Sequence, residues 1–584
     1  MRVSNYDKYP AVAVDGFGSE AFVGYDEIGR VLLRKAASCG KAKTVVTVEC
    51  YPGVKKQEVL PALEQALRPS CTIDADTCSF DGEAITRMIR RELTDDRVFG
   101  VMSCRTIDEF FDPERIAAAR KEIQSASPGI VLVYGTGASL ISEGDVLIYA
   151  DLARWEIQLR YRRKELANWK MQNYDEDFLR KYKRGFFVEW RIADRLKKKI
   201  FQKIDYLLDT NVYRQPKMIS KSALFAGLET AASRPFRLVP YFDPGVWGGQ
   251  WMMNVCGLDR SRPNFAWCFD CVPEENSLYL QYDDVRVEIP SIDLVFFYPH
   301  QLLGEKVHAR FGTEFPIRFD FLDTMGGQNL SLQVHPLTEY IQEKFGMHYT
   351  QDESYYILDA KEDASVYLGV KNGIDSTSMI EDLYAANRGD KIFPDEKYIN
   401  RFPAKKHDHF LIPAGTVHCS GKNAMVLEIS ATPYIFTFKL WDWNRLGLDG
   451  KPRPVHIGHG KEVIQWDRNT DWVKGNLIDQ VRQIAAGDGW REERTGLHER
   501  EFIETRRHWF RKKVLHNTSG GVNVLNLVQG EEAIVESPGH RFEPFVVHYA
   551  ETFIVPAQVG EYTIAPYGKS EGQELATIKA YVRT

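Results

Sequence analysis

The sequence predicts a multidomain chain in which a parallel α/β unit precedes an all-β unit built from two related barrels. Three observations carry this. The 584 residues exceed what one hydrophobic core normally serves, so two or three domains are expected. Over roughly the first 215 residues, short apolar runs alternate with helical periodicity, as strands and crossover helices do. After about residue 235 the texture changes to short, aromatic-rich strands separated by turn residues, the pattern of sandwiches and barrels.

The strands of the first unit are placed at TVVTVEC (44–50), RVFGVMS (97–103), GIVLVYG (129–135) and DVLIYAD (145–151). Each is short and apolar, as a parallel strand covered on both faces tends to be. Between them, KQEVLPALEQALR and DPERIAAARKEIQ carry helical spacing. A basic helical region follows over about 153–208. The small and polar residues from 209 to 235 read as connecting chain, which gives a first domain at 1–215 and a linker at 216–235. Within the β-rich remainder a helical stretch interrupts near 374–388. FLIPAGTVH (410–418) is echoed by FIVPAQVGE (553–561), each an apolar strand turning at Pro-Ala. The echo predicts two copies of one barrel, 236–505 and 506–584. His418 falls opposite Glu561, so the polar site is expected only in the first copy.

Composition narrows the function. With 44% hydrophobic and 27% charged residues the chain is ordinary globular protein, and a net charge of -6 gives no reason to expect nucleic acid or an anionic membrane as a partner. No apolar run approaches the length of a membrane span. The start, MRVSNYDKYPAVAVDGFG, has no charged-then-apolar export pattern, and nine scattered cysteines do not form a disulfide framework. A cytoplasmic location is the expectation. Cys268 and Cys271 in WCFDC have metal-like spacing but no second pair, and their aromatic neighbours place them in a strand core.

The chemistry gathers around SLQVHP (331–336). Alternate side chains of an extended chain share a face, so Gln333 and His335 point together. Glu353 heads the strand-like ESYYILDA, and His418 ends FLIPAGTVH beside a Pro/Gly turn. Two imidazoles and two oxygen-bearing side chains from three strands are a ligand set for zinc, and equally for Mn, Fe(II) or Co. Such a site leaves a position for water or substrate. His407 and His409 in KKHDHF share a strand face but precede the apolar FLIPAG strand in a polar turn, and His456 and His459 lack a carboxylate at ligand spacing; both pairs are read as structural.

LSLQVHPLTEY, ESYYILDA, FLIPAGTVHCSGKNAMVLEIS and LWDWNRLGLDGKPRPVHI together resemble the class I mannose-6-phosphate isomerases, which are metal-dependent double cupins of jelly-roll type. VWGGQW (246–251), HQLLGEK (300–306) and FPIRFDFLDT (315–324) resemble that family's upstream motifs in the same order. The resemblance spans roughly 235–584. It implies one divalent ion on Gln333, His335, Glu353 and His418, and interconversion of mannose 6-phosphate and fructose 6-phosphate through an enediol. That reaction needs a proton-transferring base, a cation near the reacting oxygens and basic groups for the phosphate. Two positions depart from the family. A lysine two residues before the glutamate ligand is here Gln351, and a functional arginine falls on Lys439 of TFKLWDW. Gln351 and Lys439 are therefore the candidate catalytic positions, with Arg445 and Lys451 as candidate phosphate partners. The departures leave room for a different sugar phosphate, or for a binding module with weakened catalysis.

In the first unit, VVTVECYPGVKKQEVLPAL has the strand, glycine loop and helix order of a P-loop. Only Gly53 and Lys55 or Lys56 match its pattern, and the Ser/Thr that would hold magnesium is missing. Residues 40–205 are weakly similar to the uridine-kinase branch of P-loop kinases. A kinase-like fold without phosphoryl transfer is expected, with an anion or nucleotide at the helix N-terminus as a further expectation.

Overall fold

The computed structural model describes residues 4–584 except 432, 433, 435 and 497–500. Among the described residues, the first unit is a seven-stranded sheet in the order Ala21–Val23, Lys217–Ser220, Tyr206–Asp209, Val146–Asp151, Lys43–Cys50, Gly129–Gly135 and Cys71–Asp74. The last five are mutually parallel, and Lys217–Ser220 pairs antiparallel with both of its neighbours. Alternation within the strands explains the layering. Val46, Val48, Leu132, Tyr134, Val146 and Ile148 pack under helices Tyr25–Ser38 and Lys56–Leu67, while Ile73, Val133, Leu147 and Tyr149 enter the core on the other face. Both faces are dry, so the strands read as apolar runs. Helix Pro113–Ser125 starts where Asp112 accepts from the N–H groups of Glu114 and Arg115.

Two expectations are corrected here. RVFGVMS is not a strand: residues 97–103 form an irregular segment, and the sheet contains Cys71–Asp74, a strand that was not expected. Phe99 is instead buried against the second unit, where it meets Phe345, Phe436 and Phe438, and Val98, Val101 and Met102 are half-buried. Nor is 216–235 an unstructured linker. It contains strand Lys217–Ser220 and helix Lys221–Ala232, the helix capped by Ser220 Oγ accepting from the Ala223 N–H.

The second unit contains paired antiparallel sheets. A six-stranded sheet (His409–Ile412, Glu353–Ala360, Ala424–Ser430, Arg318–Asp323, Trp267–Cys271, Tyr241–Asp243) accompanies a five-stranded one (Ile399–Pro403, Ser365–Val370, His418–Ser420, Leu332–Val334, Phe438–Trp441). A second pair follows, six strands between Arg482 and Val582 and four between Val514 and Pro566. Helix Ser376–Arg388 is inserted in the first pair. The echoed segments occupy like places. His418 opens strand His418–Ser420 and Glu561 opens strand Glu561–Pro566, but His418 is buried and Glu561 is exposed. Cys268 and Cys271 are buried in their strand.

The units are joined by more than the chain. Strand Ala11–Ala13 pairs in parallel with Ser277–Tyr282 of the second unit. Between them lies a buried ionic layer. Arg154 binds Asp194 at 2.6 Å and also Glu274; Lys197 binds Asp151 at 2.6 Å and Asp293 at 2.8 Å. Glu275 accepts from Tyr182 Oη and Gln158 Nε2, both at 2.6 Å. No helix among the described residues is long and apolar enough to cross a membrane.

Candidate active site

Strand pairing sets the positions. Gln333 lies opposite His418 on one side and Lys439 on the other, and Glu353 comes from the facing sheet. His335 follows directly after strand Leu332–Val334. The structure therefore brings Gln333, His335, Glu353 and His418 into one buried cluster. One ligand atom each from His335, Glu353 and His418 lie within 4.8 Å of one another.

The hydrogen bonds define which atoms face the centre. His335 Nδ1 lies 2.9 Å from Phe436 O, and His418 Nδ1 lies 2.8 Å from Thr416 O. A carbonyl only accepts, so both rings carry their proton on Nδ1 and present the Nε2 lone pair inward. There His335 Nε2 is 3.1 Å from Glu353 Oε2 and His418 Nε2 is 2.8 Å from Oε1. His335 Nε2 and Glu353 Oε1 have no hydrogen-bond partner, although both are buried. Acceptors this close repel unless a proton or a cation lies among them. The Gln333 amide, 3.2 Å from His418 Nε2, adds an oxygen when turned about its last torsion. This donor set, with backbone carbonyls orienting both imidazoles, fits a divalent cation. Burial alone would raise the Glu353 carboxyl, but His335 and His418 hold it well below the usual range. Glu353 in turn raises His335 against the effect of burial.

Gln351 is beside the cluster. Its Nε2 donates to Glu353 Oε2 at 2.8 Å, with Glu428 Oε1 at 3.4 Å, and its Oε1 accepts from the Phe436 N–H at 3.2 Å. The Lys439 amine has no hydrogen-bond or ion-pair partner among the described residues. Burial, and then the nearby Arg453, Arg445 and Arg97 guanidinium groups, push its amine down to about 7 against the pull of Asp442. Arg445 is committed elsewhere: Asp442 Oδ1 is 2.6 Å away and Asn329 O is 2.7 Å away. Lys451 is exposed. Arg453, at 3.0 Å from both Asp442 oxygens, is buried more deeply than Lys451 and is one of the charges facing Lys439.

Two acidic residues were not singled out in the sequence. Glu428 and Asp320 are direct strand partners, and Glu428 also lies opposite Tyr355, two residues along from Glu353. Burial, followed by Glu353 and Asp320, raises the Glu428 carboxyl well above the ordinary range. The signal was available. Glu428 is the one charged residue in the strand AMVLEIS, as Gln333 and His335 are polar in theirs.

In the first unit the loop after strand Lys43–Cys50 leaves little room for a phosphate. A Cβ on Gly53 would meet Ile157 Cγ1 at 2.7 Å, Lys55 Nζ binds Glu165 at 2.6 Å, and Lys56 Nζ is paired with Asp74 and Asp76. Neither amine reaches an anion without giving up a carboxylate.

Residues 24–233 match the family model described as "Domain of unknown function (DUF8485)". The chain is 28% identical over 236 residues to the mannose-6-phosphate isomerase ManA of Bacillus subtilis (strain 168), covering 40% of this chain and 69% of that protein. It is 25% identical over 234 residues to the mannose-6-phosphate isomerase of Streptococcus mutans, covering 40% and 68%. The crystal structure of the mannose 6-phosphate isomerase from Bacillus subtilis aligns with a TM-score of 0.48 at 19% identity, over 60% of this chain and 100% of that one. Its relatives over about 40% of the chain are thus mannose-6-phosphate isomerases.

Proposed function

We propose that the protein is a metal-dependent aldose-ketose isomerase acting on a hexose 6-phosphate, with mannose 6-phosphate and fructose 6-phosphate as the leading pair. The observation that carries this is the convergence of the His335, Glu353 and His418 acceptor atoms, with orphaned lone pairs, beside a partly desolvated lysine. The relatives named as mannose-6-phosphate isomerases support the substrate class. Gln333, His335, Glu353 and His418 would hold the ion, zinc by preference, which supplies positive charge near the two reacting oxygens.

The remaining steps fall to side chains. A proton must leave C2 of the aldose and return to C1, while an O–H proton passes between O2 and O1. Lys439, with its amine near neutrality, is suited to take and return a proton. Gln351 fixes the Glu353 carboxylate, and Glu428, kept protonated, is a proton donor two residues from Ser430 on the same strand face. The phosphate is assigned to the region of the exposed Lys451, where Arg445 or Arg453 would join it on releasing Asp442. In the double-cupin reading the metal belongs to the first barrel, which holds His418, and the second, which holds Glu561, has none. The first unit is taken as a kinase-like fold without phosphoryl transfer, supported by its five parallel strands with Lys43–Cys50 at their centre.

A second reading, a sugar-phosphate-binding module with weakened catalysis, is favoured by Gln351, whose neutral amide stands where the resembled family has a cation. A coupled isomerase assay of the metal-loaded protein on mannose 6-phosphate separates the two. Turnover supports the enzyme; tight binding without turnover supports the module, and neither would refute both.

A further inference from the structure

A cleft of about 490 Å³ opens between the two units, lined by Asp96 from the first and by Tyr340, Tyr384, Asn387, His456 and His459 from the second. It adjoins the candidate active site, because the His456 N–H donates to Lys439 O at 2.7 Å. Asp96 is locked in place. Its Oδ1 accepts from the N–H groups of Val98 at 2.6 Å and Phe99 at 2.7 Å, and its carbonyl oxygen accepts from Lys183 Nζ. Phe99 anchors the segment, stacked on Phe436 at 5.0 Å and edge-on to Phe438 at 5.3 Å between centroids. These contacts leave Asp96 Oδ2 facing His456 Nε2 across 3.8 Å, too far for a hydrogen bond. His456 is only 8% exposed, and its Nδ1 has no partner. Also in the lining, Tyr340 Oη and His459 Nδ1 are 2.7 Å apart.

The wall thus offers a carboxylate, two imidazoles, two phenols and an amide, and no lysine or arginine lines it. Mixed donors and acceptors without a cation suit vicinal hydroxyls, each of which gives and takes a hydrogen bond; they do not suit a phosphate. A hydroxyl between Oδ2 and Nε2 donates to the carboxylate and, with the imidazole proton on Nε2, accepts from the ring. We propose that the cleft is a hydroxyl-recognition subsite for a polyhydroxylated carbon chain, and that Asp96, supplied by the first unit, is a specificity-determining residue of the sugar site. The inference rests on the isomerase reading for the identity of the ligand as a sugar phosphate.

The test is calorimetric titration of D-mannitol 1-phosphate, which cannot isomerise, onto the full-length chain, with mannose 6-phosphate turnover measured in parallel. Asp96→Asn keeps the Oδ1 acceptor that shapes the loop and replaces the carboxylate oxygen facing His456. Tyr384→Phe removes a hydroxyl from the opposite wall without touching the loop. Each is expected to weaken hexitol phosphate binding about fivefold to tenfold, with bound metal and Tm unchanged. Equal binding by wild type and both variants overturns the subsite, and so does a wild type that does not bind the probe. A wild type that binds it in an Asp96-dependent way yet turns over no mannose 6-phosphate leaves the subsite standing and removes the isomerase reading. Turnover with KM and binding indifferent to both substitutions does the reverse.

Discussion

Gln351 donates to the same carboxylate oxygen of Glu353 that lies 3.1 Å from His335 Nε2, so one buried oxygen serves a neutral amide and the candidate metal centre together. The amide also faces Glu428. A cation at 351 would sit beside the Glu353 carboxylate and place a full charge near the developing enediolate. Charge-assisted hydrogen bonds are roughly twice as strong as neutral ones. Gln351→Lys is therefore expected to raise turnover of mannose 6-phosphate by about tenfold, on the order of 1.4 kcal/mol of barrier. It should also lower Tm, since the Phe436 N–H loses its acceptor. Steady-state kinetics that show a fall from an already efficient rate would make Gln351 a working part of the site.

His418→Ala removes an inward-facing Nε2 and leaves Glu353 with one imidazole. Elemental analysis of the purified variant should find divalent metal well below the roughly one ion per chain expected of the wild type, because a ligand lost from such a site costs most of its affinity. Undiminished metal would move the ion elsewhere.

Lys197 is enclosed by Asp151 and Asp293, one carboxylate from each unit. Removing the amine strands two buried acids. Lys197→Ala is expected to cost about 3–5 kcal/mol in chemical denaturation, whereas substitutions at the exposed Lys361 should cost almost nothing.

Glu275 accounts for a pH dependence. Burial, with Glu274 adding to it, pushes its carboxyl from 4.5 up to about 7 despite the Tyr182 hydroxyl and the Arg154 and Arg318 guanidinium groups. The folded chain thus holds this proton more tightly than the unfolded one. The contribution to stability is complete below about 4.5 and is lost as pH rises through 7. Glu275→Gln needs only a turn of the Gln158 amide to keep its hydrogen bonds. It should stabilise the protein at pH 8 by up to about 3 kcal/mol and by much less at pH 5. Denaturation curves that shift equally at both pH values would assign the effect to packing.

The residues of the buried polar cluster were legible because polar side chains on apolar strands stand out in a linear reading: Gln333 and His335 alternate around Val334, and Glu353 and His418 mark strand ends. GIVLVYG and DVLIYAD were legible as strands for the complementary reason, since both their faces are dry. The same rule misled at RVFGVMS. Its Phe99 is buried, but against aromatic rings of the second unit, and an apolar run does not say which surface will cover it. CTID, half-exposed at the sheet edge, gave no run to detect. Asp96 was invisible for a deeper reason. An aspartate in a polar segment becomes part of a site only through the docking of two units, which no local pattern encodes.

The parallel pairing of Ala11–Ala13 with Ser277–Tyr282 has a consequence for how the chain is made. These first residues emerge from the ribosome roughly 270 residues before their partner strand, a delay on the order of tens of seconds. The five parallel strands between Lys43 and Asp209 can assemble in that interval, but the segment before them must wait, closing a long loop only after the sheet is in place. Strand Ala11–Ala13 thus settles later than the sheet that follows it, as a clasp closed over a first unit already formed.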